Sequence, residues 1–435
     1  MEKYIRVILE QVRYHKSHES IRRELQDHLE EQYKANREAG MSEIDAEKAA
    51  VEEMGDPVEV GISLDRIHRP KMAWDMLLLM SGITMFSIII HVLIGDPDFA
   101  YEGVVGFSVM LVVYLLDYTW FLYHAKPLAG GFLLLWLFLL HSSGAMYNGA
   151  AMWIILPIGM VSLLALPLCY IPLYGALLYQ YYGKGYSGLG KSILWMIAPL
   201  LLSYYNIPLR LMLLFVMLLQ LSLAIKNRWF VVPIRRTLTC LWGLIIAISG
   251  VIFGMIMGEN GYQRNRLLAF LSNQGDANYL TGLLRENLTS GFFLGASDYK
   301  ADLKMLGADS DFILSYLTAS YGLWLSLLLC CVLMFVIVRA YKICLKQKNQ
   351  AGKIMGCGCT AVLALHIVIN IMENAGVFPV TTTFLPFLSA GLNVNLISYV
   401  MIGIILSIYR YKDVHGVHVK LSASKMQEIE SRELC

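Results

Sequence analysis

Two carboxylates, Asp309 and Asp311, close a long polar run where an apolar run, Phe312-Ile313-Leu314, begins. A carboxylate placed there has two ordinary uses. It can accept from the free N–H groups of the helix that follows, as an N-cap, or it can take a proton from a hydroxyl as a general base. The residues alone leave both open. Asp309 adds negative charge beside Asp311 and raises the pKa of one of the pair. A second pair of ionisable residues, His366 and Glu373, lies seven positions apart on one face of a later apolar segment. Such groups are costly at membrane depth and usually face an interior cavity, so each reads either as a packed core residue or as a functional one. The eight cysteines all fall in apolar segments or in links assigned to the inside, and Cys357-Gly-Cys359 lacks the second ligand pair of a zinc site. No Walker loop, GxSxG elbow, HExxH or paired CxxC occurs, and Gly183-Lys184-Gly185 with Gly188 reads as a turn between spans. No metal ligand set is expected.

What must position these residues is a membrane domain. Of the 435 residues 57% are hydrophobic and 16% charged, with a mean hydropathy of +0.55, against roughly 25% charge in soluble domains. A net charge of +2 gives no support to a nucleic-acid partner. Ten apolar segments run over 73–95, 103–123, 128–143, 152–180, 191–204, 209–225, 237–257, 312–338, 354–377 and 389–409. Several fall at or below the roughly twenty residues a spanning helix needs. Only one link is long, the polar run from Gly258 to Asp311, and links of that length usually carry function. Its Tyr262, Leu267, Phe270, Tyr279, Phe292 and Phe293 favour order over disorder. Basic residues then set the orientation. Lys126; Lys184 and Lys191; Lys226, Arg228, Arg235 and Arg236; and Arg339, Lys342, Lys346, Lys348 and Lys353 fall in alternate links. The links around Asp96, Tyr147 and Pro379 hold none. Both ends, including the tail 411–435, are therefore expected inside and the long link outside.

Residues 1–70 are polar, without the short apolar core of a signal peptide, and are expected to form a separate helical unit. Ile5, Ile8, Leu9 and Val12 mark a first amphipathic helix, and Ile21, Leu25, Leu29 and Tyr33 a second. Gly40 is a stop, Ser42 with Asp45 a capping box, Gly55 the next stop, and Asp56-Pro57 a fourth start. The pattern EL..HLEE, G-M-S, A..A and MGDP resembles the permease-prefix domain found ahead of some bacterial membrane proteins. That resemblance implies a cytoplasmic regulatory or docking role, with a partner the sequence does not name.

Three further stretches, in order, resemble the SEDS family of shape, elongation, division and sporulation proteins, the relatives of RodA and FtsW. Gly261-Tyr262-Gln263-Arg264-Asn265-Arg266-Leu267-Leu268-Ala269-Phe270-Leu271 looks like the family's YQ..R...FL, with Asp276 and Tyr279 following. Asp309-Ser310-Asp311-Phe312-Ile313 stands in the place of His-Thr-Asp-Phe-Ile. Asn370-Ile371, Gly376, Pro379, Leu385-Pro386-Phe387-Leu388-Ser389 and Gly391 match NI...G..P....LPF.S.GG. The resemblance covers 73–410 and implies an all-α polytopic fold of about ten spans with one large outer loop.

It also implies a peptidoglycan glycosyltransferase of the bacterial plasma membrane, acting on lipid II beside a penicillin-binding transpeptidase. Asp311 is then the catalytic base. The leaving diphosphate needs cationic or metal stabilisation. Arg264, Arg266, Arg285 and Lys300 are the loop's candidates, and a divalent cation is the other source. Gln263, Asn370, Glu373 and Ser389 complete the expected substrate contacts. The chain departs from the pattern at Asp309, at Ala319-Ser320 where the family has a Glu-rich step, at Leu392 for the second glycine, and in lacking the Gln-Pro-Ser-Glu stretch. Those departures keep two alternatives in view: a scaffold or signalling protein that retains the fold, and a transporter of lipid-linked precursors.

Overall fold

The computed structural model describes residues 1–141, 145–147, 150–156, 159–162, 165–203, 206–258, 264–265, 268, 270, 279–297, 310–381 and 383–414. Four helices come first: α1 (Glu2–Gln11), α2 (His18–Glu38), α3 (Glu43–Glu53) and α4 (Pro57–His68). They bury Tyr4, Ile5, Ile8, Leu9, Ile21, Leu25 and Leu29 in a core of their own. The cap chemistry is as its spacing predicts. Ser42 Oγ accepts from Asp45 N at 3.2 Å, and Asp56 Oδ1 accepts from Val58 N at 2.8 Å and Glu59 N at 3.0 Å ahead of Pro57. Gly40 and Gly55 both take the left-handed conformation.

Among the described residues six helices are long and apolar enough to cross a membrane: α5 (Trp74–Ile94), α11 (Ile207–Lys226), α12 (Ile234–Gly258), α15 (Leu323–Leu345), α16 (Gln350–Asn374) and α17 (Leu392–Arg410). Shorter apolar helices are α6 (Phe99–Leu115), α8 (Ala125–His141), α9 (Tyr170–Tyr179, preceded by a 3-10 turn) and α10 (Tyr186–Leu202). A five-residue turn of helix, α7 (Thr119–Tyr123), joins α6 to α8. Apart from one small sheet described below, the chain is an all-α polytopic membrane protein, and leucine, methionine and phenylalanine side chains such as Leu78, Met85, Phe138 and Leu201 stay exposed on the apolar helices, where lipid is the solvent.

Helix α16 is the hub, packed against α9, α11, α15 and α17. The tightest pairing is α6 against α17: a Cβ at Gly403 would meet the Cβ of Val113 at 2.9 Å, so a small residue is what lets the two backbones approach. Helix α12 is the opposite case. Trp242 donates to Ser222 Oγ of α11 at 3.1 Å, but the described side chains from 246 to 255 are exposed.

Three of the expected spans differ. The segment 103–123 is not continuous: α6 ends at Leu115, Leu116 is extended, and α7 takes the remainder. The segment 152–180 is not one helix: β1 (Ala145–Tyr147), β2 (Ala150–Leu156) and β3 (Gly159–Ser162) form an antiparallel sheet, with Trp153 opposite Ser162 and Leu156 opposite Gly159, and the helix occupies only its end. Hydropathy does not separate strand from helix in a short apolar run, and Met152-Trp153-Ile154-Ile155 is rich in strand formers. The segment 312–338 is broken at Gly322 (φ +95°) into α14 (Ile313–Tyr321) and α15. The break is stitched by the preceding link: Leu323 N donates to Phe292 O at 3.1 Å, and Ser297 N to Ala319 O at 2.7 Å.

Candidate functional site

The site is built where the long link re-enters the bundle. Asn370 and Asn374 stand one turn apart at the end of α16, buried in a largely apolar helix, so their amides must find partners in protein. They find the main chain entering α14. Asp311 O accepts from Asn370 Nδ2 at 3.0 Å and from Asn374 Nδ2 at 3.0 Å. Ser315 N donates to Asn374 Oδ1 at 3.0 Å, and Ser315 Oγ to the same oxygen at 2.7 Å. One residue back, Ser310 O accepts from Ser389 Oγ at 2.8 Å, and that hydroxyl itself accepts from Leu385 N at 2.8 Å. Three side chains from two separate stretches thus fix the backbone of Ser310 and Asp311, leaving the half-buried Asp311 carboxylate carried on a rigid mount.

The N-cap position of α14 belongs to Phe312, with no side-chain cap bond. Asp311 therefore stands one residue outside the place from which it would cap.

The long link packs on the same mount through α13 (Tyr279–Ser290). Asn287 Nδ2 donates to Ser315 O at 3.0 Å, Ser297 Oγ donates to Asn287 Oδ1 at 3.2 Å, and Arg285 Nη2 donates to Gly376 O at 2.8 Å. Asn370, Ser389 and Arg285, expected to touch substrate, thus direct polar atoms into the frame around Asp311. Arg264 is half-buried. Gln263, Arg266, Lys300 and Asp309 lie outside the described residues.

Glu373 is fully buried and accepts from Thr381 N at 3.1 Å, from Thr381 Oγ1 and from Thr383 Oγ1 at 2.7 Å. These donors hold the α16–α17 link against the helix end. A second carboxylate, Glu102 of α6, does the same farther along: it accepts from Gly391 N at 2.7 Å and from Asn395 Nδ2 at 3.0 Å. His91 of α5 bonds Leu388 O at 2.7 Å and Asp96 Oδ2 at 3.1 Å while stacking on Phe99. Asn374, Glu102 and His91 were not singled out from the sequence. A search for polar residues inside apolar helices would have found all three, though not their partners. Among the described residues no group of three His, Cys, Asp or Glu comes together that could hold a metal ion.

The arrangement offers a carboxylate on a fixed main chain at the mouth of a half-span, framed by the amides of Asn370 and Asn374, the hydroxyl of Ser389 and the guanidinium of Arg285. That is suited to proton removal from a substrate hydroxyl.

Known proteins resemble the chain. A putative or probable peptidoglycan glycosyltransferase FtsW recurs among the relatives; that of Trichlorobacter lovleyi is 28% identical over 174 residues, which cover 38% of this chain and 44% of that protein. The chain thus spans less than half the length of that relative. The FtsW of Geobacter sulfurreducens strain DL-1/KN400 is 24% identical over 324 residues, covering 70% of this chain and 83% of that one. A solved structure described as a peptidoglycan synthase complex that coordinates polymerization and crosslinking aligns with a TM-score of 0.62 at 21% identity, over 78% of this chain and 98% of that chain; it shares the fold. Residues 99–414 match the family described as cell cycle proteins of the FtsW, RodA and SpoVE type. With that match spanning the mount and every helix from α6 to α17, the chain belongs to the FtsW/RodA/SpoVE family.

Proposed function

We propose that this protein is a peptidoglycan glycosyltransferase that polymerises lipid II at the outer leaflet of the bacterial plasma membrane. The observation that carries the reading is the convergence of Asn370, Asn374 and Ser389 on the Ser310–Asp311 backbone. A merely structural carboxylate does not need so stiff a mount, whereas a general base gains from being held in place. In the reaction a sugar hydroxyl oxygen bonds to the anomeric carbon of a second sugar, and its proton passes to the Asp311 carboxylate. The bond from that carbon to the lipid diphosphate breaks, and the diphosphate leaves with the electron pair. Arg264, Arg266, Arg285 and Lys300 are the cationic groups that neutralise it. A penicillin-binding transpeptidase is the partner that fits, since the structural neighbour is a complex of polymerization and crosslinking.

The test is polymerisation of labelled lipid II by the purified full chain, with and without a co-expressed transpeptidase, and glycan strands are the expected product. A chain inert in both arms overturns the reading. It would favour the scaffold, for which one observation speaks: Ala319 and Ser320 are buried where the family pattern has acidic residues. The orientation has its own test. In a cysteine-free background, cysteine at the exposed Ala296 should react with an impermeant reagent on intact cells, and cysteine at the exposed Lys348 should not. Equal reaction would reverse the assignment of sides.

A further inference from the structure

Charge is unbalanced in one stretch away from Asp311. Between Asp117 and Glu259 the sequence holds no Asp or Glu, while Lys184, Lys191, Lys226, Arg228, Arg235 and Arg236 fall within it. Three of these gather in the structure. Arg228, Arg235 and Arg236 line an open hollow of about 790 Å³ on the short link from α11 to α12, with Phe230, Val231 and Ile234 as its apolar part. No carboxylate is among its described lining residues, and the three exposed guanidinia pair with none among the described residues. Like charges held this close repel until an anion comes between them. The link that carries them is firmly seated. Trp229 and Phe230 are buried, and Trp229 Nε1 donates to Gln350 Oε1 at 2.5 Å. The neighbouring turn is tied on by Gly183 N to Trp229 O at 2.8 Å and by Val231 N to Lys184 O at 3.1 Å. Arg228 itself stands at φ +58°, a conformation uncommon outside glycine. The N–H groups of Ile234, Arg235 and Arg236 precede the first intrahelical bond of α12, donated by Thr237 N to Pro233 O at 3.0 Å, and such a helix start favours an anion.

What kind of anion follows from the surface beside the hollow. Arg236, Cys240, Leu244 and Ile248 are all exposed and succeed one another at four-residue steps, on one face of α12. A cationic hollow continued by an apolar stripe on a membrane-crossing helix has the order of a phospholipid, headgroup first and acyl chain after. A soluble phosphate has no use for the stripe. We propose that the hollow binds the headgroup phosphate of an anionic phospholipid, with an acyl chain laid along the Cys240–Ile248 stripe. Guanidinium groups suit that phosphate because they can meet its oxygens in pairs. The leaflet is the one that the basic residues assign to the cytoplasm. The site lies outside the Asp311 frame and stands or falls without the polymerase reading.

The experiment is native mass spectrometry of the full chain in detergent, titrated with phosphatidylglycerol and separately with phosphatidylcholine. Phosphatidylglycerol should bind more tightly. Arg228→Gln, Arg235→Gln and Arg236→Gln should each weaken it by about 5-fold, the effect of one surface cation on an anionic lipid. Because all three side chains are exposed, the triple variant should unfold at the wild-type temperature. Arg→Lys at the three positions keeps the charge and should lose less than Arg→Gln; an equal loss overturns the electrostatic basis of the site. Lys342→Gln, Lys346→Gln and Lys348→Gln together remove as many charges from another basic link and should leave the affinity unchanged. A loss as large as that of the triple arginine variant means diffuse attraction and overturns the proposal. So does equal binding of phosphatidylcholine. Displacement of the lipid by inorganic diphosphate as readily as by unlabelled phosphatidylglycerol would make the hollow a soluble-anion site, and overturns it too.

Discussion

The two ends of the helix bundle use polar groups differently. At the Asp311 end, side chains hold main chain: Asn370, Asn374, Ser389, Glu373 and Glu102 each bond backbone atoms of a link or a half-helix. At the other end, the contacts tie helices and the four-helix unit to one another. Gln347 donates to Tyr118 Oη at 3.3 Å, Tyr411 Oη to Leu115 O at 2.8 Å, and Tyr118 N to Ser407 Oγ at 3.2 Å. Lys71 pairs with Asp413 at 2.7 Å, and Tyr14 lies 6.1 Å from Tyr411, centroid to centroid. Burial, then the charge of Asp117, pushes the Tyr14 hydroxyl above its ordinary pKa. The first arrangement stiffens the irregular backbone of one link and one half-helix; the second ties the ends of helices to one another. A bundle needs the second for stability, whereas the first has a purpose only if the backbone it stiffens carries something that must not move.

That contrast can be broken by substitution. Asp311→Asn keeps the size of the side chain and should cost about 100- to 10,000-fold in polymerisation, the usual worth of a general base, with thermal stability in detergent unchanged. Equal turnover would remove Asp311 from the chemistry. Asn374→Leu should come next. It removes one of the two amides on Asp311 O and the acceptor of Ser315 N, at about 1–3 kcal/mol for a buried group left unsatisfied, and lets the mount shift, a displacement that can cost on the order of 100-fold in rate. Loss of stability without loss of rate would make the mount structural. Tyr118→Phe, at the other end, should lose about 1 kcal/mol and leave polymerisation as it was. Lys71→Ala is the smallest effect, because exposed ion pairs are worth about 0–1 kcal/mol. A large drop in polymerisation from either of the last two would mean that the ends are coupled and the comparison is wrong.

Much of this was legible beforehand, and the failures have physical causes. The spans could be read because crossing a bilayer demands apolar length, a property of the local sequence. Ser42 and Asp56 could be read because capping is settled within three residues. The strands at 145–162 could not, since an apolar run of seven residues satisfies either period. The break at Gly322 is visible only once Phe292 and Ser297 are known to lie against it. At the site, the family pattern pointed to Asp311, Asn370 and Ser389, but their bonds join positions 59 and 79 residues apart. Nothing local distinguishes an asparagine that holds substrate from one that holds the chain.

Helix α12 has a consequence of another kind. Its 25 residues make a rod about 37 Å long, set in hydrocarbon about 30 Å deep, and among the described residues nothing packs on its exposed second half to fix its angle. The bilayer sets it instead: the apolar stretch 237–257 about matches the slab, so a thinner slab makes the rod lean and a thicker one stands it upright. Since the long link begins where this rod ends, lipid composition is an external dial on how high the start of that link stands above Asp311.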